Sequence, residues 1–321
     1  MYNNNEENIL GKVNLAQKPR LNMEDEKRLV SKVFMALVIM IVVMLGVQFA
    51  MDAFVQWKYP EFYDTNRYLW LLMLVSQYLL AYPIVIMLIA RTPEHTIKEK
   101  SLSAKELFAC FLVCYSLVIL GNFIGIGFNS ILELLFGIDT ALEMDTLILE
   151  SNRLLVLVVA VIMGPFAEEW IFRKSLLDRL VKYGELPAIV ASALIFGLFH
   201  GNFSQFFYAF LVGLVFGYIY VKTGKLRYSV ILHMAVNFCG TMFPLMVMDL
   251  NNTSLLGFYV AVEMALLVIG IVILMKKRKE VVFNSSDYAI TDKEGKEIIW
   301  KNKGAYIMLT AFVVLFIWGM I

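Results

Sequence analysis

The 321-residue chain holds only three cysteines and three histidines, and just 17% of its residues are charged. Cys110, Cys114 and Cys239 are odd in number and all lie in apolar runs. That placement reads as small buried hydrophobes and argues against a disulfide framework or a cysteine metal cluster. No H-E-x-x-H pattern occurs on which a zinc-protease helix could be built. Basic and acidic residues nearly cancel, 28 against 27, for a net charge of +1. No basic surface is left over from what membrane topology explains, so no nucleic acid is expected as a partner. The longest polar insert, 276–304, is too short to fold as a soluble domain, and no repeat of fixed period is present.

What fills the chain is apolar. Hydrophobic residues make up 60% and mean hydropathy is +0.71, well outside soluble composition. Runs near the roughly 20 residues that a helix needs to cross hydrocarbon lie at 33–54, 68–90, 107–136, 154–172, 187–199, 206–221, 228–248, 255–275 and 306–321, the fifth and last being short. The expected fold is therefore all-α, a polytopic membrane bundle of about eight to nine transmembrane helices. Its expected organisation is a cytosolic tail at 1–32, N-terminal membrane helices at 33–153, a core at 154–248, and C-terminal helices at 249–321 with a cytosolic insert at 276–304. Within that insert, alternation around Tyr288–Ile290 and Ile298–Trp300 with Gly295 between them suggests a short β-hairpin.

Orientation follows from lysine and arginine, which are retained on the cytosolic side. With the N-terminus inside, the cytosol receives Lys12 to Lys32, Arg91 to Lys105, Arg173 to Lys182, Lys222 to Arg227 and Lys276 to Lys303, leaving only Lys58, Arg67 and Arg153 outside. The outer loops carry Asp64, Asp139, Glu143, Asp145 and Asp249. The segment before the first run has no cleavage-site pattern, and the run itself is too long for a signal-peptide core, so an uncleaved first helix is expected. Short loops, few cysteines and no targeting signal suggest a bacterial plasma membrane.

Against this background a few polar residues stand out, because ionisable groups inside a bilayer are costly and usually functional. Glu168 and Glu169 end one apolar run, and His200, His233 and Asn237 fall in later ones. Glu169 and Arg173 are four residues apart and share a helical face, so an ion pair is available. Glu168 is rotated from Glu169 by about 100° and can face a cavity. Low dielectric penalises a charged carboxylate and a nearby cation compensates, a balance that suits a general base. His233 and Asn237, again four apart, can donate together to an oxygen gaining negative charge. Water held between Glu168 and His200 would then attack a polarised carbonyl without any serine or cysteine nucleophile. Two glycine pairs, Gly197 with Gly201 and Gly213 with Gly217, have the spacing that lets membrane helices approach closely.

Glu168-Glu169-Trp170-Ile171-Phe172-Arg173 resembles the E-E-x-x-x-R motif of the CAAX-processing and bacteriocin-processing (CPBP, or Abi) intramembrane proteases. Phe196 to His200 resembles that family's F-x-x-x-H motif, and His233 to Asn237 its H-x-x-x-N motif. The similarity covers roughly 154–239, with Lys174 standing where many relatives carry glycine. The resemblance implies a membrane-embedded endopeptidase with Glu168 as catalytic base, His200 as its partner on the water, His233 and Asn237 as oxyanion donors, and Glu169 with Arg173 in support. It implies a membrane-associated peptide or protein substrate, CAAX-like or leader-containing, and no cofactor. The remaining readings are a zinc protease with Glu168, His200 and His233 as ligands, a proton-coupled transporter, and a nonproteolytic immunity or scaffold protein. No feature specifies an oligomeric state.

Counted along the expected spans, Glu168 and His233 sit about five residues from their cytosolic ends, roughly 7 Å, whereas His200 lies nearly 20 Å beyond Pro187. A site facing the cytosol is expected. The mismatch in depth would be relieved if 174–185 formed an amphipathic stretch outside hydrocarbon, starting the fifth helix above the bilayer surface.

Overall fold

The computed structural model describes residues 18–137 and 143–318. The segment 1–17 with Lys12, outer-loop Asp139 and the final residues 319–321 lie outside them, as do the side chains of Glu143 and Asp145. The described residues contain helices and no strand. Each of the nine apolar runs forms a helix: α1 Met23–Lys58, α2 Asn66–Ile89, α3 Ala104–Phe136, α4 Arg153–Tyr183, α5 Glu185–Phe199, α6 Phe203–Thr223, α7 Leu226–Asp249, α8 Thr253–Lys277 and, after the short α9 Asp292–Trp300, α10 Lys303–Trp318. Seven are long and apolar enough to cross a membrane, and α9 with α10 makes an eighth candidate bent by 61°. The fifth run, α5, is 15 residues long.

Side-chain caps set most of the starts. Asn22, Thr65, Ser103, Asn152, Asn202, Asn252 and Thr291 each accept a backbone N–H of the following first turn. Asn22, followed by Glu24, Asp25 and Glu26 in the first turn, begins α1 at Met23, so the expected tail boundary at 32 falls inside a helix. The expected hairpin in 276–304 is a helix instead. Thr291 and Glu294 form a reciprocal capping box that starts α9, and Ile298 and Ile299 are then buried together beside Tyr183 and Phe312 in the main core. A strand would have sent these two neighbours to opposite faces.

The expected amphipathic stretch at 174–185 is also corrected. It is the buried continuation of α4, with Leu176, Leu177, Leu180 and Tyr183 all inaccessible. Its charges are paired internally: Asp178 accepts from Lys174 at 2.6 Å and from the Tyr220 hydroxyl at 2.8 Å. Glu168 therefore lies at the middle of α4 and not near its end. The depth mismatch disappears with it. Helices α4 and α5 run antiparallel through the turn at Gly184, and Glu168 is fifteen residues before Tyr183 (183 − 168) just as His200 is fifteen after Glu185 (200 − 185). At about 1.5 Å per residue both lie roughly 22 Å from that turn.

Close packing of α5 on α6 uses three of the four expected glycines. A side chain at Gly197 would meet the Phe206 carbonyl at 3.1 Å, and one at Gly213 the Ala193 backbone at 3.2 Å, while Gly217 faces Ile189. Gly201 follows the end of α5 at φ +69°, and a side chain there would meet nothing within 4 Å, so it turns the chain and does not pack.

Two sets of contacts join the helices at the two ends of the bundle. At one end Tyr183 donates to Glu26, Lys182 pairs with Glu26, Lys222 with Glu185, and the backbones of Lys100 and Thr223 and of Glu185 and Asn284 are bonded. This end carries the basic loops. At the other, Arg153 clamps Asp249 at 2.7 and 2.8 Å, Trp70 donates to Ser151 at 2.7 Å and Asn129 to Ser204 at 2.6 Å.

Candidate active site

Four stretches of these helices have turns widened to i→i+5 hydrogen bonding: 74–81 in α2, 157–163 and 170–177 in α4, and 238–242 in α7. Three of them end two residues before a proline, Pro83, Pro165 or Pro244. Proline has no N–H to give and its ring crowds the preceding carbonyls, which favours a widened turn on its N-terminal side. In α4 this has a direct consequence. Gly164 N–H bonds to the Val159 carbonyl, and the same register would send the next N–H, that of residue 165, to Ala160. Residue 165 is proline, so Asn237 takes that carbonyl instead, its amide Nδ2 donating to Ala160 O at 2.9 Å. Asn237 thereby ties α7 to α4 with one amide hydrogen and keeps the other.

Glu169 and Arg173 form the expected pair, Nη1 to Oε1 at 3.0 Å, and both are wholly buried. The approach is ionic and not an aligned hydrogen bond, and Glu169 Oε2 with Arg173 Nε and Nη1 have no hydrogen-bond partner. The guanidinium is held further by two aromatic faces, Phe196 at 4.5 Å and Phe216 at 5.4 Å, and by the Gly213 carbonyl at 3.4 Å. His233 bridges the two glutamates. Its Nδ1 lies 3.0 Å from Glu169 Oε1 and its Nε2 3.6 Å from Glu168 Oε2. A carboxylate only accepts, so Nδ1 carries a hydrogen and Nε2 faces Glu168. His200 is fixed in the same way, with Nδ1 donating to the Phe196 carbonyl at 2.9 Å, which leaves Nε2 of the neutral ring as an acceptor.

Phe196 is common to all three cations and rings: it lies 5.1 Å from His200 and 5.7 Å from His233, edge-on to each, besides facing Arg173. Glu168, His200, His233 and Asn237 line one cavity of about 270 Å³. Glu169 and Arg173 stand behind it and do not line it. Residues not expected from the sequence share the cavity: Gln77 and Tyr78 of α2, Gln205 and Tyr208 of α6, and Thr241 of α7. A side chain at Gly164 would meet the Tyr78 hydroxyl at 3.2 Å and lie 4.0 Å from Glu168 Oε1, so this glycine leaves room for both groups beside α4. The prolines inside the apolar runs were the available signal for α2 and α7. Trp170, next to the glutamate pair, packs on Phe166 and does not line the cavity.

Among the described residues no three His, Cys, Asp or Glu side chains come together in a way that could hold a metal ion. Cys110, Cys114 and Cys239 are free, Cys114 fully buried.

The cavity's lining runs toward one end of the bundle. From Glu168 it extends along Gly164, Ala160 and Val159 of α4, along Tyr78, Met73 and Trp70 of α2, and to Ile148, Gln205 and Thr241. All of these lie toward the end that carries the Arg153–Asp249 ion pair. Toward the basic end, Ile171, Phe172, Leu176 and Leu177 block it, each at 0% exposure.

Residues 150–239 match the family described as type II CAAX prenyl endopeptidase Rce1-like. Two curated proteins are similar. YdiL of Bacillus subtilis (strain 168), whose name marks it as a presumed membrane peptidase, is 29% identical over 164 residues, 48% of this chain and 64% of the relative. The membrane-embedded CAAX protease MroQ of Staphylococcus aureus (strain USA300) is 34% identical over 92 residues, 26% of this chain and 37% of the relative. The chain thus spans less than two thirds of the length of either. No solved structure matches it.

Proposed function

We propose that this chain, whose residues 150–239 carry a domain of the Rce1-like type II CAAX prenyl endopeptidase family, is a membrane-embedded endopeptidase that uses Glu168 to activate water against a peptide bond of a membrane-associated polypeptide. The observation that carries this reading is the convergence of Glu168, His200, His233 and Asn237 from α4, α5 and α7 on one cavity.

In this reading one water gives one hydrogen to Glu168 and directs the other at His200 Nε2, leaving a lone pair for the scissile carbonyl carbon. Glu168 takes the proton as the C–O bond forms. The carbonyl oxygen, now negative, receives the second amide hydrogen of Asn237 and, from a doubly protonated His233, the hydrogen on Nε2. The charges suit that step. Before it, Glu168, Glu169, Arg173 and His233 sum to zero; once Glu168 is neutral, the remaining three carry one net positive charge opposite the oxyanion. Glu168 then returns its proton to the departing amine nitrogen as the C–N bond breaks. Glu169 and Arg173 orient His233 and touch no reacting atom.

Two measurements test this on membranes containing the protein and a candidate membrane peptide. Glu168→Gln, which keeps shape and removes the base, is expected to lower cleavage by about 10²–10⁴-fold with unchanged folding in detergent. Wild-type cleavage by the variant would sink the proposal. Treatment with a chelator is expected to leave wild-type cleavage intact, and loss restored by added zinc would favour the metal reading.

A further inference from the structure

We infer that the cavity is loaded from the extracytoplasmic face, so that the polypeptide it takes is one anchored in the bilayer with its reactive segment in the outer leaflet. This deepens the endopeptidase reading and rests on it for the word substrate; the direction of access does not.

The inference joins two independent observations. The first is charge. The bundle end built from Arg20 to Lys32, Arg91 to Lys105, Lys174 to Lys182, Lys222 to Arg227 and Lys276 to Lys303 holds nearly all the lysine and arginine, against Lys58, Arg67 and Arg153 at the other. The contacts of Tyr183 and Lys182 with Glu26, of Lys225 with Ser101 and of Lys222 with Glu185 show that these basic segments meet at one end. Such an excess, in short loops next to helix ends, is retained in the cytosol. The second is shape. The cavity's lining runs from Glu168 at the middle of α4 and His233 in the first half of α7 to Trp70, Ile148, Gln205 and Thr241, the last four toward the sparsely basic end. On the basic side of Glu168, Ile171, Phe172, Arg173, Leu176 and Leu177 of α4 are wholly inaccessible, and the Arg173 ion pair fills the space between α4, α6 and α7. A route on that side would have to displace these side chains.

A cavity of about 270 Å³, walled by Trp70, Tyr78, Phe196 and Tyr208, fits a short extended stretch of chain and not a folded domain. A polypeptide tethered in the outer leaflet can present such a stretch near the middle of the bilayer. The lipidated tail of a cytosolic protein cannot, since it lies against the opposite leaflet.

The test is thiol accessibility in a variant lacking Cys110, Cys114 and Cys239. Single cysteines replace Gln205 or Thr241 in the cavity, Leu250 at the sparsely basic end and Lys279 at the basic end. Each is treated with a membrane-impermeant maleimide in right-side-out and in inside-out vesicles. Labelling of Q205C, T241C and L250C in right-side-out vesicles, with K279C labelled only in inside-out vesicles, is the expected result. Labelling of either cavity position only from the side that labels K279C overturns the proposal. So does labelling of K279C from outside, or labelling of L250C from outside with both cavity positions silent from that side. None of these readouts requires proteolysis. If wild type and Glu168→Gln cleave no peptide alike while the cavity labels from outside, the endopeptidase reading fails and the direction of access stands.

Discussion

Arg173 shows how much of the site is held by one buried side chain. It balances Glu169, lies against Phe196 and Phe216, and reaches the Gly213 carbonyl, while Glu169 in turn fixes His233. Replacing it by methionine keeps much of its volume and leaves Glu169 as an uncompensated charge at 0% exposure. Breaking one side of a buried pair costs about 3–5 kcal/mol, whereas removing both charges can be nearly neutral. Arg173→Met is therefore expected to lower the unfolding midpoint in detergent sharply, and Glu169→Gln added to it to recover most of the loss. Equal stability of wild type and the single variant would show that the pair is not buried as described. Phe196 is the other organiser: the same ring separates His200 from His233 and faces Arg173, which gives the phenylalanine of the F-x-x-x-H pattern a physical task.

Elements in this bundle are shaped by prolines placed inside spans. Pro83, Pro165 and Pro244 each follow a stretch of widened turns, and each stretch contributes cavity residues: Gln77 and Tyr78, Val159 and Ala160, and Thr241. Pro165 is the most consequential, because an N–H at that position would compete with Asn237 for the Ala160 carbonyl. Pro165→Ala is expected to retain membrane insertion and helix content by circular dichroism while reducing cleavage at least tenfold. Unchanged cleavage would mean that the Asn237 tether does not matter for the reaction. At the level of single elements much was legible. All nine apolar runs are helices, and Glu169–Arg173 pairs as its spacing implies. The exceptions have local causes. A capping box at Thr291 and Glu294 overrides the alternation that suggested a hairpin, and 174–183 looks amphipathic only because Asp178, Lys174 and Arg179 find partners inside the protein.

At the scale of the molecule, the core depends on segments far from the matched 150–239. Helix α10 packs on α1, burying Ala305, Met308 and Phe312 in the same core as Phe172, Leu176 and Leu180, while α9 packs against α1 and α5 with Gly295 on the Tyr183 carbonyl. By contrast α8 meets chiefly α3, and its apolar window is only 6% buried, as expected of a lipid-facing helix. A chain ending after Lys277 would keep every proposed catalytic residue and strip the cover from this core. It is expected to be degraded several-fold faster than the full chain in a pulse-chase experiment. Equal lifetimes would show that α9 and α10 are dispensable for folding.

Composition and pattern alone settled that the chain is helical and membrane-embedded, roughly where its apolar helices lie, and which polar residues stand out from the hydrocarbon, because burying charge and backbone in lipid leaves few alternatives. Only the tertiary structure decided how those residues meet. That His233 lies between two glutamates, that Asn237 holds a carbonyl freed by Pro165, that α2 and α6 complete the cavity, and that it points away from the basic loops all depend on distances between helices remote in sequence. Helical periodicity states which face a residue occupies and says nothing of what that face meets.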